Sequence, residues 1–492
     1  MVQYKIFGFA LVLALLFVGS QANNCKPTKR DVCILGAGAA GMSMAAFLKD
    51  RGYDPLVLEQ DASIGGHCNT EYFDPPCGED DDWLDYGVQL YLNTTELNLY
   101  GIGSWNVSTE EFINRFAGPD ATIPLTDLDS RVYVNMQEGE LAIPDVNNTA
   151  LGIALQIYYG ILSQYPWIDD GEYTGPIPQE LLMPFSEFAA PFGLEAMAEI
   201  FRAFGFNSGI AFGNYTNVPT IHMLNSASRA TLQLLSGSPT SSYKVKGGCS
   251  AVYNGIREYI GEENVVTNAK VTNVKRTTYI PGKNVKIRGF TTNDQQTENF
   301  EYFCDKLVVA FPPVLEKLDF LDTDTVEQDL FSNVDNYYYY AGIADVNGPF
   351  VDGKSYQISN SDLTSNFNVP NAPTAISLGR YIRYGPSQVQ AISDVQRSVS
   401  EMHDIIQCEF ENIPVYVASH TNVTKLVQHD SYWPYFNSQS LTQTVSPYAT
   451  LSEIQGRHNT FWVSALNRYA ANSVNIWELT HDVVNEFFPE KC

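Results

Sequence analysis

The stretch that decides the fold reads Asp31-Val-Cys-Ile-Leu-Gly36-Ala-Gly38-Ala-Ala-Gly41. It predicts a short buried strand, a glycine-rich turn and the start of a helix. Gly36 makes the tight turn, and Gly38 leaves the backbone bare where a pyrophosphate approaches it. Gly41 lets the helix pack closely against the strand. The N-terminus of the helix then offers N–H groups and a positive dipole end to phosphate oxygens.

A second strand and an acidic residue complete the pattern. Pro55-Leu-Val-Leu runs into Glu59, about 20 residues beyond the glycines, where a carboxylate can accept hydrogen bonds from a ribose diol. A lone Gly-x-Gly-x-x-Gly pattern carries little weight, since any turn can contain glycine. Because the strand, the helix and the acid all stand at the expected positions, the sequence predicts a dinucleotide site rather than an ordinary strand, turn and helix.

The segment after Glu59 favours a flavin over a nicotinamide. It contains Gly65-Gly66-His67-Cys-Asn-Thr70 and then Asp85-Tyr-Gly-Val-Gln89. A nicotinamide dehydrogenase needs no second glycine pair here, whereas the longer FAD molecule continues through the domain and the chain must pass close to it. Glycine permits both the close approach and the backbone conformations that this requires.

These residues resemble the flavin amine oxidase superfamily, whose second strand is followed by Glu, a spacer, Gly-Gly, usually Arg, and Thr. His67 stands where Arg is usual. Gly-Gly-His-x-Asn-Thr together with Asp-Tyr-Gly-Val-Gln is similar to the secreted fungal FAD-dependent oxidoreductases around the β-cyclopiazonate dehydrogenase family. Looser matches extend over most of the chain. The acidic residue that commonly follows a Gly near the C-terminus of this superfamily is absent around Ser464-Ala465, and no Cys for a cysteinyl flavin link lies there.

The resemblance implies an α/β fold, with a Rossmann-like FAD/NAD(P)-binding domain and an inserted α+β substrate domain. It also implies that the strand containing Val271 touches the adenine. The predicted FAD-binding residues are Gly36, Gly38, Ala40, Gly41, Glu59, Gly65, Gly66, His67, Gly87, Val88, Gln89 and Val271.

The chain of 492 residues is long enough for two domains. We predict a discontinuous FAD-binding domain from residues 29–94, 242–313 and 457–488, and a substrate domain from residues 95–241 and 314–456. The first insert has helical periodicity, as at 186–190 and 194–202, and the second has strand-like runs at 336–343 and 413–417.

Residues 1–22 are predicted to be a signal peptide. Lys5 precedes the apolar run 6–18, and Ser20-Gln-Ala22 offers small residues for cleavage. The run is short for a membrane span, although a signal anchor is the alternative. No later stretch is long and apolar enough to cross a bilayer. We therefore expect a mature protein without a membrane span, secreted or in the lumen of the secretory pathway.

Sequons and cysteines agree with that compartment. The predicted glycosylation sites are Asn93, Asn106, Asn147, Asn214 and Asn422. Eight cysteines are even in number and leave their pairing open. Cys68 and Cys77 form the most plausible local pair, whereas Cys33 lies inside the first strand and is expected to be a buried free thiol.

The net charge of −27 excludes a simple nucleic-acid binder, because phosphate backbones would be repelled. The acidic run Glu79-Asp-Asp-Asp82 lacks the alternating ligands of a calcium loop and is interpreted as a solvated loop. We expect no metal site, since no metal-binding spacing of His and Cys is present.

The resemblance implies that the flavin carries the redox chemistry and the protein orients a small-molecule substrate. The expected reaction moves a hydride from a C–H next to nitrogen, or otherwise activated, to flavin N5, with oxidative cyclisation as an option. The substrate would be an amine or a secondary metabolite, and oxygen or another electron acceptor would reoxidise the flavin. An isomerase of polyunsaturated fatty acids without net redox change is the alternative, and a non-catalytic flavin-binding protein is the third hypothesis.

No catalytic side chain is identified by the sequence. His67 either hydrogen-bonds to the coenzyme or the nearby backbone, or is covalently bonded through a ring nitrogen to the flavin 8α carbon. The aromatic clusters at 337–340 and 432–436 predict core packing, with an aromatic wall for the substrate as the alternative. The other histidines are interpreted as structural, with His222 the first to mutate: His222, His403, His420, His429, His458 and His481.

Overall fold

The structure is a computed structural model that describes residues 28–75, 82–93, 107–125, 128–143, 147–169, 173, 175–203, 216–229, 231–232, 242–276, 284–293, 296–468 and 472–491. Several predictions from the sequence fall outside these residues. They concern the signal peptide, the sequons at Asn106 and Asn214, Cys77, and positions 79–81 of the acidic run.

Strands and helices alternate along the first part of the chain, and long strands dominate the last part. The strands are β1 (Thr28–Leu35), β2 (Pro55–Leu58), β3 (Cys68–Tyr72), β4 (Trp83–Gly87), β5 (Tyr91–Leu92), β6 (Thr122–Pro124), β7 (Ser130–Asn135), β8 (Glu140–Leu141), β9 (Ser242–Val245), β10 (Val265–Val266), β11 (Ala269–Lys275), β12 (Val285–Asn293), β13 (Gln296–Val309), β14 (Val334–Asn347), β15 (Tyr356–Asn360), β16 (Thr374–Arg380), β17 (Ser387–Ser393), β18 (His420–Phe436) and β19 (Thr460–Trp462). The α-helices are α1 (Ala39–Asp50), α2 (Thr109–Ala117), α3 (Asn148–Leu162), α4 (Pro166–Asp169), α5 (Phe185–Ala189), α6 (Ala198–Ala203), α7 (Thr220–Ser226), α8 (Ser250–Ile260), α9 (Thr325–Phe331), α10 (Val399–Glu411), α11 (Ser438–Leu441), α12 (Pro447–Glu453) and α13 (Ser473–Phe487).

The first sheet has a parallel core in the order β10-β2-β1-β13-β19. The long strand β13 has two sets of neighbours, because its C-terminal half pairs in parallel with β1 and β19 while its N-terminal half pairs antiparallel with β12. β11 continues that antiparallel extension. Strands from the beginning, middle and end of the chain thus form one sheet, which we refer to as the first unit together with its helices.

Both faces of the first sheet are buried where β1 crosses it, which explains why residues 32–35 of β1 are all apolar. Val32 and Ile34 face the layer formed by α1, α8 and α13. Cys33 and Leu35 alternate with them and face a second apolar cluster on the opposite side.

The second sheet has the order β18-β14-β17-β16-β15-β7-β8 and forms the second unit with its helices. One face is covered by α10, whose Met402, Ile406 and Phe410 pack on Tyr340 and the neighbouring strands. The opposite face joins the helical region α3–α7 in the cluster that also receives side chains from the first sheet. The two units therefore share one apolar core.

The helical and strand-like runs of the sequence have different outcomes. The runs at 186–190 and 194–202 form α5, short 3₁₀ turns and α6, and the run at 336–343 lies in β14. The strand expected at 413–417 is wrong, because the N–H of Val417 closes a turn on the carbonyl oxygen of Pro414 at 2.7 Å. Val415 and Tyr416 are exposed there, so neither apolar side chain has a strand face to cover.

Both expectations about cysteine pairing are corrected by the structure. Cys33 is fully buried as expected, but it forms a disulfide with Cys304 rather than remaining a free thiol. Cys68 pairs with Cys249 and not with its sequence neighbour Cys77. In both cases the fold brings together strands or segments that are far apart in the chain, which local spacing does not indicate.

In the part of the chain that the structure describes, no helix is both long and apolar enough to cross a membrane.

Candidate active site

The glycine turn after β1 has the geometry that its sequence predicts. Gly36 has a φ of +100° and donates its N–H to the carbonyl oxygen of Leu58 at 2.9 Å, which fixes the turn to β2. At Gly41, a Cβ would lie 1.8 Å from the carbonyl oxygen of Gly36. Only glycine at this position lets α1 approach the turn so closely.

The glycine turn after β1 and the pair Gly65-Gly66 face each other. A Cβ on Gly66 would lie 3.0 Å from the Cα of Gly38, and the N–H of Gly65 donates to the carbonyl oxygen of Ala37 at 2.8 Å. Gly38 also caps α1 without any side-chain hydrogen bond, and the first turn, which includes Ala40, contains no acidic residue. This arrangement fits the diphosphate of a dinucleotide, because bare backbone and the positive end of a helix meet in one place.

Glu59 lies at the end of β2 beside the same turn. Its carboxylate accepts hydrogen bonds from the N–H of Ala37 at 2.6 Å and of Asp61 at 2.9 Å. Burial raises the pKa of Glu59, and the two backbone hydrogen bonds oppose that shift. Two carboxylate oxygens retain further acceptor sites for a ribose diol. The N–H of Ala269 donates to the carbonyl oxygen of Glu59 at 2.7 Å, so β11 with Val271 starts next to this acid.

His67, Gly87 and Val88 come together at the other end of the glycine segment. The N–H of Val88 donates to the carbonyl oxygen of His67 at 3.0 Å, and a Cβ on Gly87 would lie 2.1 Å from that oxygen. Gly87 has a φ of +97°, so glycine is required there for both reasons. Gln89 instead lines a small crevice with Lys244 and Tyr381.

A buried polar network holds the His67 segment against α8. Asp85 accepts hydrogen bonds from the Thr70 hydroxyl at 2.7 Å and from the N–H of Cys249 at 2.9 Å. Burial raises the pKa of Asp85 to about 7, against the effect of these hydrogen bonds. The Cys68–Cys249 disulfide lies beside the same network. The residue that follows His67 is thus fixed covalently to the helix.

Aromatic side chains of the second unit pack against His67. The His67 ring centroid lies 4.5 Å from that of His429 and 5.5 Å from that of Tyr432. Tyr339 stacks on Tyr432 at 4.5 Å and on His429 at 5.8 Å. We call these three side chains of β14 and β18, His429, Tyr432 and Tyr339, the aromatic wall. Of the tyrosine run, Tyr340 points instead to the α10 side of the sheet.

His67 and the three side chains of the aromatic wall are uncharged near neutral pH. Burial lowers the pKa of His67 to about 4, with a further contribution from the charge of Lys317. Burial also holds the pKa of His429 well below its usual range, and His67 adds to that effect. The pKa values of Tyr339 and Tyr432 are raised by burial.

Sequence reasoning missed His429 and did not single out Tyr339 or Tyr432 within their clusters. His429 has no local motif around it, and only the pairing of β18 with β14 brings it to His67. His222 is buried elsewhere, with its ring 5.2 Å from that of Tyr435, and burial lowers its pKa to about 3. Within the described ranges, no group of three or more His, Cys, Asp or Glu side chains could hold a metal ion.

Two family models match this chain. The NAD(P)-binding Rossmann-like domain matches residues 34–100, and the flavin containing amine oxidoreductase domain matches residues 173–345. The chain therefore contains a flavin containing amine oxidoreductase domain and is similar to FAD-dependent oxidoreductases over most of its length. These matches confirm the predicted Rossmann-like fold with an amine oxidase domain, the FAD cofactor and the oxidoreductase class.

The chain is similar over nearly its whole length to several other proteins. It is 54% identical over 100% of both chains to "uncharacterized protein R656" of Acanthamoeba polyphaga mimivirus. It is 24% identical to the FAD-dependent oxidoreductase dbaF of Emericella nidulans, over 98% of this chain and 96% of the relative. The β-cyclopiazonate dehydrogenase of Aspergillus flavus is 23% identical over 96% of each chain.

Solved structures agree on the fold. A fatty acid isomerase from P. acnes aligns with a TM-score of 0.69 and 17% identity, over 93% of this chain and 99% of the other. A putrescine oxidase variant aligns with a TM-score of 0.60 and 14% identity, over 94% of this chain and 100% of the other. The roles of the individual FAD-binding residues and a covalent bond through His67 stay predictions.

Proposed function

We propose that this FAD-dependent oxidoreductase removes a hydride from an activated C–H bond, either next to nitrogen in an amine or within a secondary metabolite. The observation that carries the proposal is the meeting of His67 and Gly87 with the aromatic wall. When bound, FAD supplies the hydride acceptor at N5. The side chains of this chain supply orientation and a site with little water.

The chemistry of the aromatic wall favours a planar or amine-like substrate. Tyr339 and Tyr432 are stacked with an interplanar angle of 20°, and aromatic rings of this kind attract flat or cationic groups. The net charge of −27 also favours the approach of cationic molecules over anionic ones. Because His67 and the three side chains of the aromatic wall are neutral near pH 7, they place no fixed charge against a neutral C–H donor.

The test is anaerobic reduction of the bound flavin by a panel of primary and secondary amines. We expect at least one amine to bleach the visible flavin band in proportion to the amount added, and oxygen to restore the band with formation of peroxide. A panel in which no amine bleaches the flavin, while dithionite does, would contradict the amine class. Tyr432→Ala should weaken the binding of a reactive amine more than Tyr416→Ala, which changes an exposed tyrosine.

A second candidate is isomerisation of a polyunsaturated fatty acid without net redox change. The likeness of the fold to a fatty acid isomerase supports keeping it, as does the apolar core that the two units share. The two candidates differ in their need for an electron acceptor. An isomerase continues to turn over under anaerobic conditions, whereas an oxidase stops after one reduction of its flavin.

We also propose that a ring nitrogen of His67 is bonded to the 8α carbon of the flavin. The new C–N bond would replace a C–H bond of the 8α methyl group and the N–H bond of the ring, and oxygen would accept the two electrons and two protons released. Support comes from its position beside Gly87 and from its low pKa of about 4, which leaves the imidazole neutral at pH 7 with a lone pair on one ring nitrogen. Acid precipitation should leave the yellow colour in the protein pellet, and His67→Arg should release it to the supernatant. Wild-type protein that releases all its flavin would disprove the bond and leave FAD binding itself untouched.

We further propose that the mature protein is secreted and glycosylated. Two disulfides support an oxidising compartment, and the sequon residues Asn147 and Asn422 are exposed. Asn93 is buried and donates its amide hydrogen to Tyr243 at 3.1 Å, which disfavours a glycan there in the folded protein. A loss of mass on treatment with a peptide N-glycosidase, which becomes smaller in the double variant Asn147→Gln with Asn422→Gln, would support this assignment.

A further inference from the structure

We propose that His429 is a second coenzyme-site residue, whose Nε2 hydrogen-bonds to the redox-active end of bound FAD. The inference rests on the flavin chemistry of the proposed function and adds a contact from the second unit. A coenzyme in this position would be held by glycine backbone on one side and by the bulged end of β18 on the other.

The order of the predicted coenzyme residues along the glycine segment indicates where the redox-active end of FAD lies. Glu59 marks the adenosine end, because its carboxylate lies where the ribose is expected. Gly38 and Gly66 face each other at the diphosphate position. His67 follows Gly66 directly, and its carbonyl oxygen is bonded to Val88 N–H at 3.0 Å. We therefore expect the remaining part of the dinucleotide beside His67 and Gly87.

The pairing of β18 with β14 brings His429 to that place. Its ring centroid is 4.5 Å from that of His67. Its Nε2 lies 3.1 Å from the position that a Cβ on Gly87 would occupy. His429 therefore contacts two predicted coenzyme residues of the first unit, although it belongs to the second.

The Nε2 atom of His429 is buried and unsatisfied by the described residues. His429 is 6% exposed, and its Nε2 is buried without a hydrogen-bond partner among the described residues. Such an atom costs about 1–3 kcal/mol when it remains unsatisfied. The neighbouring rings of His67 and Tyr339 contact the His429 ring by tilted and stacked packing, and neither gives Nε2 a hydrogen bond. A bound molecule that supplies a donor or an acceptor removes this cost.

The backbone of β18 shows how His429 is aimed. Tyr337 pairs with Tyr432 and Tyr339 pairs with His429, so β18 has one more residue than β14 in this interval. Ser431 lies in the bulge with a φ of +54°, in the left-handed region that non-glycine residues rarely occupy. Bulges of this kind redirect side chains and are common next to active sites.

The test compares His429→Leu with His429→Gln in the full-length holoenzyme. Leu removes the hydrogen bond, so the visible spectrum of the bound flavin should shift and its reduction equilibrium should change by about five- to tenfold. Gln retains a hydrogen-bonding group and should restore most of both properties. His222→Leu is the matched control, because His222 is also a buried histidine but packs on Tyr435 instead of His67. It should leave the spectrum and the reduction equilibrium unchanged.

Two results would overturn the inference. One is a His429→Leu protein that binds FAD with the wild-type spectrum and reduction equilibrium. If that variant does not fold, ¹⁵N-histidine NMR of the wild-type protein decides, with His429→Gln for assignment. The Nε2 signal of His429 should move when dithionite reduces the flavin, and a signal that does not move would equally refute the contact. Failure of the proposed function differs from both, since it would appear as a lack of reduction by amines with His429 intact.

Discussion

The two sides of the candidate site are built in different ways. On the first unit, Gly36, Gly41 and Gly66 create space by lacking a side chain. On the second unit, His429 and Tyr432 fill space, and a bulge with a non-glycine residue at positive φ directs them. The glycine side follows from neighbours in the sequence, whereas the aromatic side follows from the pairing of two long strands. A motif therefore reveals only the half of a site that is made locally.

The largest expected effect comes from breaking the glycine side at Gly41. In Gly41→Ala the new Cβ would lie 1.8 Å from the Gly36 carbonyl oxygen, so α1 must move away from the turn. We expect a loss of about 3 kcal/mol or more in the free energy of unfolding, together with loss of FAD. Urea denaturation and flavin content of the purified protein measure both.

The matched control is Gly152→Ala, an exposed glycine within α3 with no atom within 4 Å of the new Cβ. It should stabilise the protein by about 0.5–1 kcal/mol. If Gly41→Ala behaved like this control, close packing of helix and turn would not be what the motif provides.

A smaller effect is expected from Asp85, which holds the His67 segment in place. Burial raises the pKa of Asp85 from 3.8 to about 7. Between these two pH values the folded state keeps a proton that the unfolded state has lost. The contribution of Asp85 to stability is therefore fully present below the pKa of the unfolded state and falls as the pH rises towards 7. Asp85→Asn cannot ionise and should gain about 2 kcal/mol relative to wild type between pH 5 and pH 7.

Urea midpoints at several pH values measure this difference between Asp85→Asn and wild type. Asp82→Asn removes the same charge at an exposed position and controls for net charge. A constant difference between Asp85→Asn and wild type across the pH range would show that Asp85 ionises in the folded protein as it does in the unfolded chain.

The smallest effect sharpens the other side of the comparison. Ser431 has a φ of +54° and is buried in the bulge of β18. Ser431→Gly should raise the free energy of unfolding by about 1 kcal/mol, because glycine adopts this conformation without a steric penalty. Ser431→Ala removes the hydroxyl but keeps the Cβ, so it separates the backbone effect from the loss of a buried polar group. Equal stabilities of Ser431→Gly and Ser431→Ala would show that loss of the hydroxyl, and not relief of the backbone conformation, causes the change in stability.

The sequence predicts the first unit better than the second for a physical reason. Strand, turn, helix and acid between Asp31 and Glu59 are local, and each residue type has one clear task there. His429 is predicted only as a structural histidine, because its importance depends on a register with β14 that no nearby residue encodes. The prediction for Cys68 is wrong for the same reason, because proximity in the sequence favours Cys77, whereas the fold pairs Cys68 with Cys249. The run at 413–417 has the composition of a strand but no partner strand, and it forms a turn.

The first unit is completed by residues from near both ends of the described chain. Arg51 donates a hydrogen bond to the carbonyl oxygen of Phe488 at 2.7 Å, and Lys491 forms an ion pair with Asp31 at 2.6 Å. Helix α13 provides much of the surface against which α1 packs. Because α1 carries the glycine turn and packs on α13, we expect the coenzyme site to be complete only after α13 has docked. Removal of α13 should therefore disable coenzyme retention, although none of the residues of the aromatic wall belongs to that helix.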